Sequence, residues 1–328
     1  MPRHEPATRH RMLNRRQLLT ALPALAAGCG AAPQRPLTVG ISIFPPHELA
    51  MLARDSGFFR DAGVEVRLVE FEDLSDAQRA FEQGKLDGLA TTLVEVLVTR
   101  SSSPHDLRAL RVIAVSDGAD VLLAPRAVRN VAALRGRKVG VEVASLGHFL
   151  LLRALQKSGM TLSDVIPVSM AQHAMEAALA AGEVDAVVTY PPQAVPLRAD
   201  PRWHPIFTSR EIAQEVVHVY AFDGPTIARR SGEVTAFLRA VDRAFHRWSA
   251  EPVASCRTMA ARGHLDADLF CAALQEGLRL VPPSGQADYL GPSMALRATV
   301  DSVQRALAQG GLIGAQPGLA DCLEPFTP

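Results

Sequence analysis

Residues 80–92, AFEQGKLDGLATT, return in outline as residues 178–190, ALAAGEVDAVVTY. Each copy ends a helix at a glycine (Gly84, Gly182), places an aspartate three positions later (Asp87, Asp185) and a threonine four beyond that (Thr91, Thr189). The parallel extends upstream. LTVGIS followed by a helix from His47 to Ala62 mirrors KVGVEV followed by a helix from His148 to Lys157, and VEVRLVEF is a second strand, as DVIPVSM is in the later copy. Each copy therefore reads β-α-β-α-β. Alternating strands and helices build a parallel sheet with helices on both faces, joined by right-handed crossovers. The expectation is an α/β protein of two lobes, each a mainly parallel sheet flanked by helices.

The segments between the copies read as crossings. VIAVSDGADVLLAP, Val112 to Pro125, is strand-like on both sides of Asp117-Gly118, and EVVHVYAFDGP, Glu215 to Pro225, is strand-like again. Helices are expected from Ser231 to Glu251, Ala267 to Leu278 and Ser293 to Gln309, returning to pack on the first lobe. The expected division is 37–117 plus 224–328 for one lobe and 118–223 for the other, after a leader and linker over 1–36.

Sheets of this kind bind ligands beyond the carboxyl ends of their strands. Two such sheets facing each other pool their strand-tip loops in one cleft: Ser42 to His47 and Thr91 to Thr92 from the first copy, Ser145 to His148 and Thr189 to Pro192 from the second. In VGVEVASLGHFLLLRALQKSG, Val139 to Gly159, the hydrophobic period changes from two at Val139, Val141 and Val143 to helical spacing at Phe149, Leu150, Leu152 and Leu155. Ser145 at the join is an N-cap candidate, and the first amides of the helix lack intrahelical partners. Ser145, Leu146, Gly147 and His148 are thus candidates to offer donors to a ligand. The alternative is an ordinary capped βα loop.

Phe44 is a candidate for stacking and His47 for hydrogen bonding; each is equally readable as a core or helix-start residue. Thr91, Thr92 and Thr189 can offer hydroxyls, and Tyr190 both a ring and a hydroxyl. Glu95 could receive a cationic ligand group, or be a solvated or a lobe-bridging residue. Asp117 beside Gly118 is a candidate ligand contact or a turn former. Asp87 and Asp185 precede buried strands and are expected to satisfy loop amides, outside the site. His218, on the return crossing, reads as core or surface. No cleft loop carries an arginine, so a strongly anionic ligand would depend on backbone donors.

Thirty-four basic side chains balance 34 acidic ones, so bulk charge points to no nucleic-acid partner. Arg9, Arg11, Arg15 and Arg16 precede an apolar run from Leu18 to Ala27, which reads as an export signal too short to span a bilayer as a mature helix, for which about twenty residues are needed. AAGC, ending at Cys29, resembles the lipobox of bacterial lipoproteins, and NRRQLL, Asn14 to Leu19, resembles a twin-arginine signal. A lipid anchor at Cys29 in the periplasm or cell envelope is the expectation, by either export route. Cys256, Cys271 and Cys322 match no metal or redox spacing, and the histidines are scattered, so neither metal nor cofactor is expected.

FPPHELAMLARDSGFFRDAGVEVRLVEF, GKLDGLATTLVEVL, SDGADVLLAP, LRGRKVGVEVASLGHFLLLRAL and AAGEVDAVVTYPPQA together resemble substrate-binding proteins of nitrate-, sulfonate- and bicarbonate-type bacterial ABC importers, over about residues 37–225. The resemblance implies a two-lobed periplasmic-binding-protein fold that closes on a small molecule and docks on a membrane permease. It covers members for sulfonates, nitrate, taurine and pyrimidine precursors of thiamine. The Cys-rich motif of the related pyrimidine-synthesising enzymes is absent, so a binding protein is expected, not an enzyme. A sensing partner of a membrane receptor would share the fold.

Overall fold

The repeat becomes two sheets in the computed structural model, which describes residues 35–262, 266–275, 277–291, 296–314 and 319–324. The first copy forms β1 (Leu37–Ser42), α1 (Glu48–Asp55), α2 (Phe58–Asp61), β2 (Val66–Phe71), α3 (Leu74–Glu82) and β3 (Gly88–Thr92), with α4 (Leu93–Ser102) directly after it. β4 (Leu107–Ser116) and β5 (Val121–Pro125) lead to the second copy: β6 (Lys138–Val141), α5 (Leu146–Lys157), β7 (Ile166–Ser169), α6 (Met175–Ala181) and β8 (Ala186–Thr189). Then come α7 (Ala194–Ala199), β9 (Trp203–Thr208) and β10 (Val217–Asp223). The C-terminal part holds α8 (Gly224–Ala250), α9 (Pro252–Arg262), α10 (Ala267–Gln275), β11 (Leu278–Leu280), α11 (Gln286–Leu290) and α12 (Leu296–Gln309).

The strand orders are β11-β4-β10-β3-β1-β2 and β7-β6-β8-β5-β9. In each, the three strands of the repeat pair in parallel, β2-β1-β3 and β7-β6-β8, as the duplication requires. The connecting strands extend both sheets in antiparallel pairing, so both are mixed. The expected lobe boundary shifts here. β10, assigned by sequence to the second lobe, pairs with β3 and β4 in the first sheet, so the return crossing lies between β9 and β10. A strand-like run next to a crossing gives no local sign of which sheet it joins. Among the C-terminal elements, α8 and α9 pack on α1, as expected, while α12 touches both α4 and α5. The expected helix start at Ser231 coincides with a break inside α8 at Arg230.

The repeated residues have repeated jobs. Gly84 and Gly182 have φ of 70° and 71°, a left-handed conformation that ends α3 and α6 and that glycine adopts without steric cost. Asp87 Oδ2 accepts the Thr38 N–H at 2.8 Å at the start of β1, and Asp185 Oδ2 accepts the Lys138 N–H at 3.0 Å at the start of β6. Each aspartate thus ties its loop to the first strand of its own copy. Asp87 is buried, with Arg230 at 3.3 Å, whereas Asp185 is more exposed beside Arg137. Asp87→Ala is therefore expected to cost about 3 kcal/mol and Asp185→Ala about 1 kcal/mol. Chemical denaturation checks the ranking; equal losses would remove burial as its cause.

One apolar cluster includes Leu93 and Leu97 of α4, Leu146, Phe149 and Leu150 of α5, and Val300, Val303 and Leu307 of α12. It joins the lobes through apolar contact, and residues 36–328 form one compact unit.

Candidate functional site: the cleft between the lobes

Beyond β1 the chain turns through Phe44 into a short 3-10 turn, Pro45–His47, whose prolines suit the first positions of a helical turn. His47 Nδ1 lies 3.1 Å from the Ser42 hydroxyl. Phe44 stacks on His218 with centroids 4.2 Å apart and meets Tyr190 edge-on at 6.0 Å. Phe44 belongs to the first lobe and Tyr190 follows β8 of the second, so this ring cluster closes the cleft. Burial holds both imidazoles neutral: His47 falls to about 3 despite the opposing Ser42 contact, and His218 is pushed well below its usual value, with His47 adding to the effect. Among the described residues, His47 Nε2 and both nitrogens of His218 lack hydrogen-bond partners.

Two carboxylates cross the cleft in opposite directions. Thr92 caps α4, and Glu95 completes the capping box by accepting the Thr92 N–H. Its other oxygen accepts the Leu146 N–H of the opposite lobe at 2.6 Å, at the start of α5. Glu142 reaches back: Oε1 accepts the Ser75 N–H of α3 at 2.8 Å, and Oε2 accepts the Tyr190 hydroxyl at 3.0 Å. Each lobe thus supplies a carboxyl group to a helix N-terminus of the other.

These contacts revise the donor role expected of the loop before α5. The Leu146 amide is held by Glu95 and its side chain is core, while the Gly147 amide is held by Ser145 Oγ at 3.2 Å. Ser145 is the N-cap, as expected, and its hydroxyl donates to the Glu142 carbonyl at 2.8 Å. His148 Nδ1 faces the Ala144 N–H at 3.5 Å, and burial lowers its pKa. Thr92 is consumed by capping α4. Thr91 and Thr189 lie buried at their strand ends with hydroxyls unpartnered among the described residues. Asp117 lies outside the cluster: it is exposed and pairs with Arg210 at 3.1 Å, since the hinge turn directs it to solvent.

Sequence reading missed Glu142, Asp120, Gln172 and Gln193. Alternation predicted Val143 buried; instead β6 stops at Val141, Ala144 adopts φ 60°, and Val143 is 40% exposed while Glu142 is 3% exposed. An acidic residue just before an N-cap was the available signal. Burial raises all three cleft acids. Glu95 is shifted up despite the bonds from Thr92 and Leu146. Asp120 reaches about 6, with Ser116 offsetting part of the burial and Glu95 adding to it. Glu142 reaches about 7, with Asp73 adding to the effect of burial, the Ser75 bonds opposing it and Glu95 adding further. Both Asp120 oxygens are unpartnered among the described residues.

At the rim, a cavity of about 270 Å³ opens between the segment from Gln172 to Pro196 and α10; Gln172, Glu176, Gln193, Asp266, Leu269 and Phe270 are on its wall. Cys256 and Cys271 lie on α9 and α10 and, like Cys322, are free thiols. Cys29 and the leader lie outside the described residues.

Two mixed α/β sheets, joined by two crossings and facing each other across a polar-lined cleft, define the periplasmic-binding-protein fold. The chain belongs to the family described as NMT1/THI5 like, which it matches over residues 45–255. It is similar to the alkanesulfonate-binding protein SsuA of Xanthomonas axonopodis pv. citri, solved bound to MOPS, with a TM-score of 0.74 and 21% identity over 90% of this chain and 100% of that one. The desulfurization enzyme DSZB shares the fold at a TM-score of 0.63 and 19% identity, covering 89% and 97%. A protein of Brucella abortus (strain 2308) named as a binding protein is 27% identical over 175 residues, 53% of this chain and 52% of that relative. The chain spans about half the length of the curated relatives it matches.

Proposed function

We propose that this protein is an extracytoplasmic solute-binding protein that captures a small organic molecule between its lobes and delivers it to the permease of an ABC importer. After export it is held at the membrane by acylated Cys29. The observation that carries this reading is the reciprocal bridging of the lobes, Glu95 to the Leu146 amide and Glu142 to the Ser75 amide, around the Phe44–Tyr190 contact. Groups that meet only when the lobes meet give a bound guest a means to favour closure. The names of SsuA and of the Brucella relative point the same way.

Closure, not bond-making, is the mechanism. The Ser145 hydroxyl is committed to the Glu142 carbonyl and the Gly147 amide, and His148 faces the Ala144 amide, so the pair forms no nucleophile and base. Native mass spectrometry of freshly purified protein is expected to show a co-purified small molecule that denaturation releases unchanged. Release of a chemically altered product from an added substrate would contradict the binding role. Cys29→Ser is expected to move the exported protein from the membrane to the soluble fraction; unchanged membrane retention would contradict the anchor.

A further inference from the structure

We propose that Cys256 and Cys271 join as a disulfide once the protein is exported, stapling α9 to α10 at the rim of the cleft. The oxidising compartment comes from the extracytoplasmic role proposed above; the pairing comes from the fold. α9 and α10 are consecutive helices packed on each other as a hairpin. Cys256 and Ala260 are an i, i+4 pair on α9, and Ala267 and Cys271 are one on α10. Counted outward from the shared turn, Ala260 falls opposite Ala267 and Cys256 opposite Cys271. All four residues belong to one apolar cluster, with Cys256 fully buried and Cys271 half-buried. The alanine pair nearest the turn lets the helices approach closely, and one turn further out the two thiols interact as a hydrogen-bonded pair. Cys322 is buried in a different apolar cluster, against α4 and α12, which leaves it out of the pair. The odd number of cysteines in this part of the chain thus resolves into one bridge and one spare thiol.

Exposure sets the order of the chemistry. Burial pushes the Cys256 thiol up to about 12, with Cys271 adding to the effect, so the half-buried Cys271 meets the oxidant first. Its thiolate attacks the disulfide of an oxidised thiol compound or thiol oxidase, forming a mixed disulfide and releasing one oxidant thiol. Cys256 then attacks the Cys271 sulfur and releases the second. Two protein thiols lose two electrons and two protons, and the oxidant disulfide gains both. The product ties α10, which presents Leu269 and Phe270 to the rim cavity, to α9, which packs on α1 and α8 of the first lobe. One wall of the rim becomes covalently part of that lobe, and a loop of about 15 residues is closed.

The test is peptide mapping of the exported protein, alkylated in denaturant before any reduction. Trypsin cuts between the two cysteines at Arg257 and Arg262, so the bridge is expected as a pair of peptides that separate on reduction, with Cys322 alkylated. Reduction is expected to lower the thermal midpoint by on the order of 5–10 °C. Cys256→Ala/Cys271→Ala is expected to abolish this dependence on reductant, and Cys322→Ala to keep it. Alkylated Cys256 and Cys271 in the exported protein, with the bridge forming when purified reduced protein meets oxidised glutathione, would contradict export and leave the pairing standing. Absence of the bridge under both conditions, or a bridge to Cys322, would overturn the pairing and leave the solute-binding role intact. A bridge whose reduction leaves the midpoint unmoved would overturn the staple.

Discussion

Glu95→Ala is expected to lower ligand affinity by about 10- to 100-fold and to loosen the contact between the lobes. The residue is buried and gives one oxygen to Thr92 in its own lobe and the other to the Leu146 amide across the cleft. A hydrogen bond to a charged group is worth about 1.5–3 kcal/mol, and its removal leaves the Leu146 N–H without that acceptor at the contact between the lobes. Glu95→Gln, which keeps an oxygen for Leu146, is expected to fall between alanine and the native protein. Titration calorimetry with the co-purified ligand reads the affinity, and small-angle scattering the lobe contact. Native affinity in Glu95→Ala would remove this bridge from the closure mechanism.

The second large effect is in the pH dependence of stability, through Glu142. Its carboxyl is raised from 4.5 to about 7, chiefly by burial. A carboxyl raised by folding favours the folded state most where it is protonated, so its contribution is fully present below about pH 4.5 and is lost as pH rises through about 7. The size is on the order of 3 kcal/mol. Glu142→Gln cannot titrate. The stability of the native protein relative to this variant is therefore expected to fall by about that amount between pH 4.5 and 7.5, in paired urea denaturations. Asp73, Glu95, Tyr190 and the Ser75 amide face this position in both proteins. A difference that does not change with pH would mean that Glu142 is solvated or unshifted.

The duplication was legible because its residues act locally. Gly84 and Gly182 end helices, Asp87 and Asp185 pin strands, and each role is set by neighbours in the same copy. The strand-tip loops were legible for the same reason, and Phe44, His47 and Tyr190 do meet. What sequence could not give was the partner of each polar group. Leu146 looked like a free donor because Glu95 lies 51 positions away on another lobe. Glu142 was hidden by the valines around it, because a period-two reading ran past the true end of β6 at Val141. The place of β10 was hidden because both sheets accept an apolar strand equally well, and pairing alone decides between them.

The central claim is that a guest is held by lobes that close on it, and the rim offers a direct readout. His173 of the second lobe and Glu72 of the first are exposed and lie 3.3 Å apart. A bimane on His173→Cys and a quenching tryptophan at Glu72→Trp, in a chain whose other reactive cysteines are replaced, report their contact. Bimane fluorescence is predicted to be quenched further as the co-purified ligand is added back, saturating at one ligand per chain. Stoichiometric binding with no change in quenching would contradict the account.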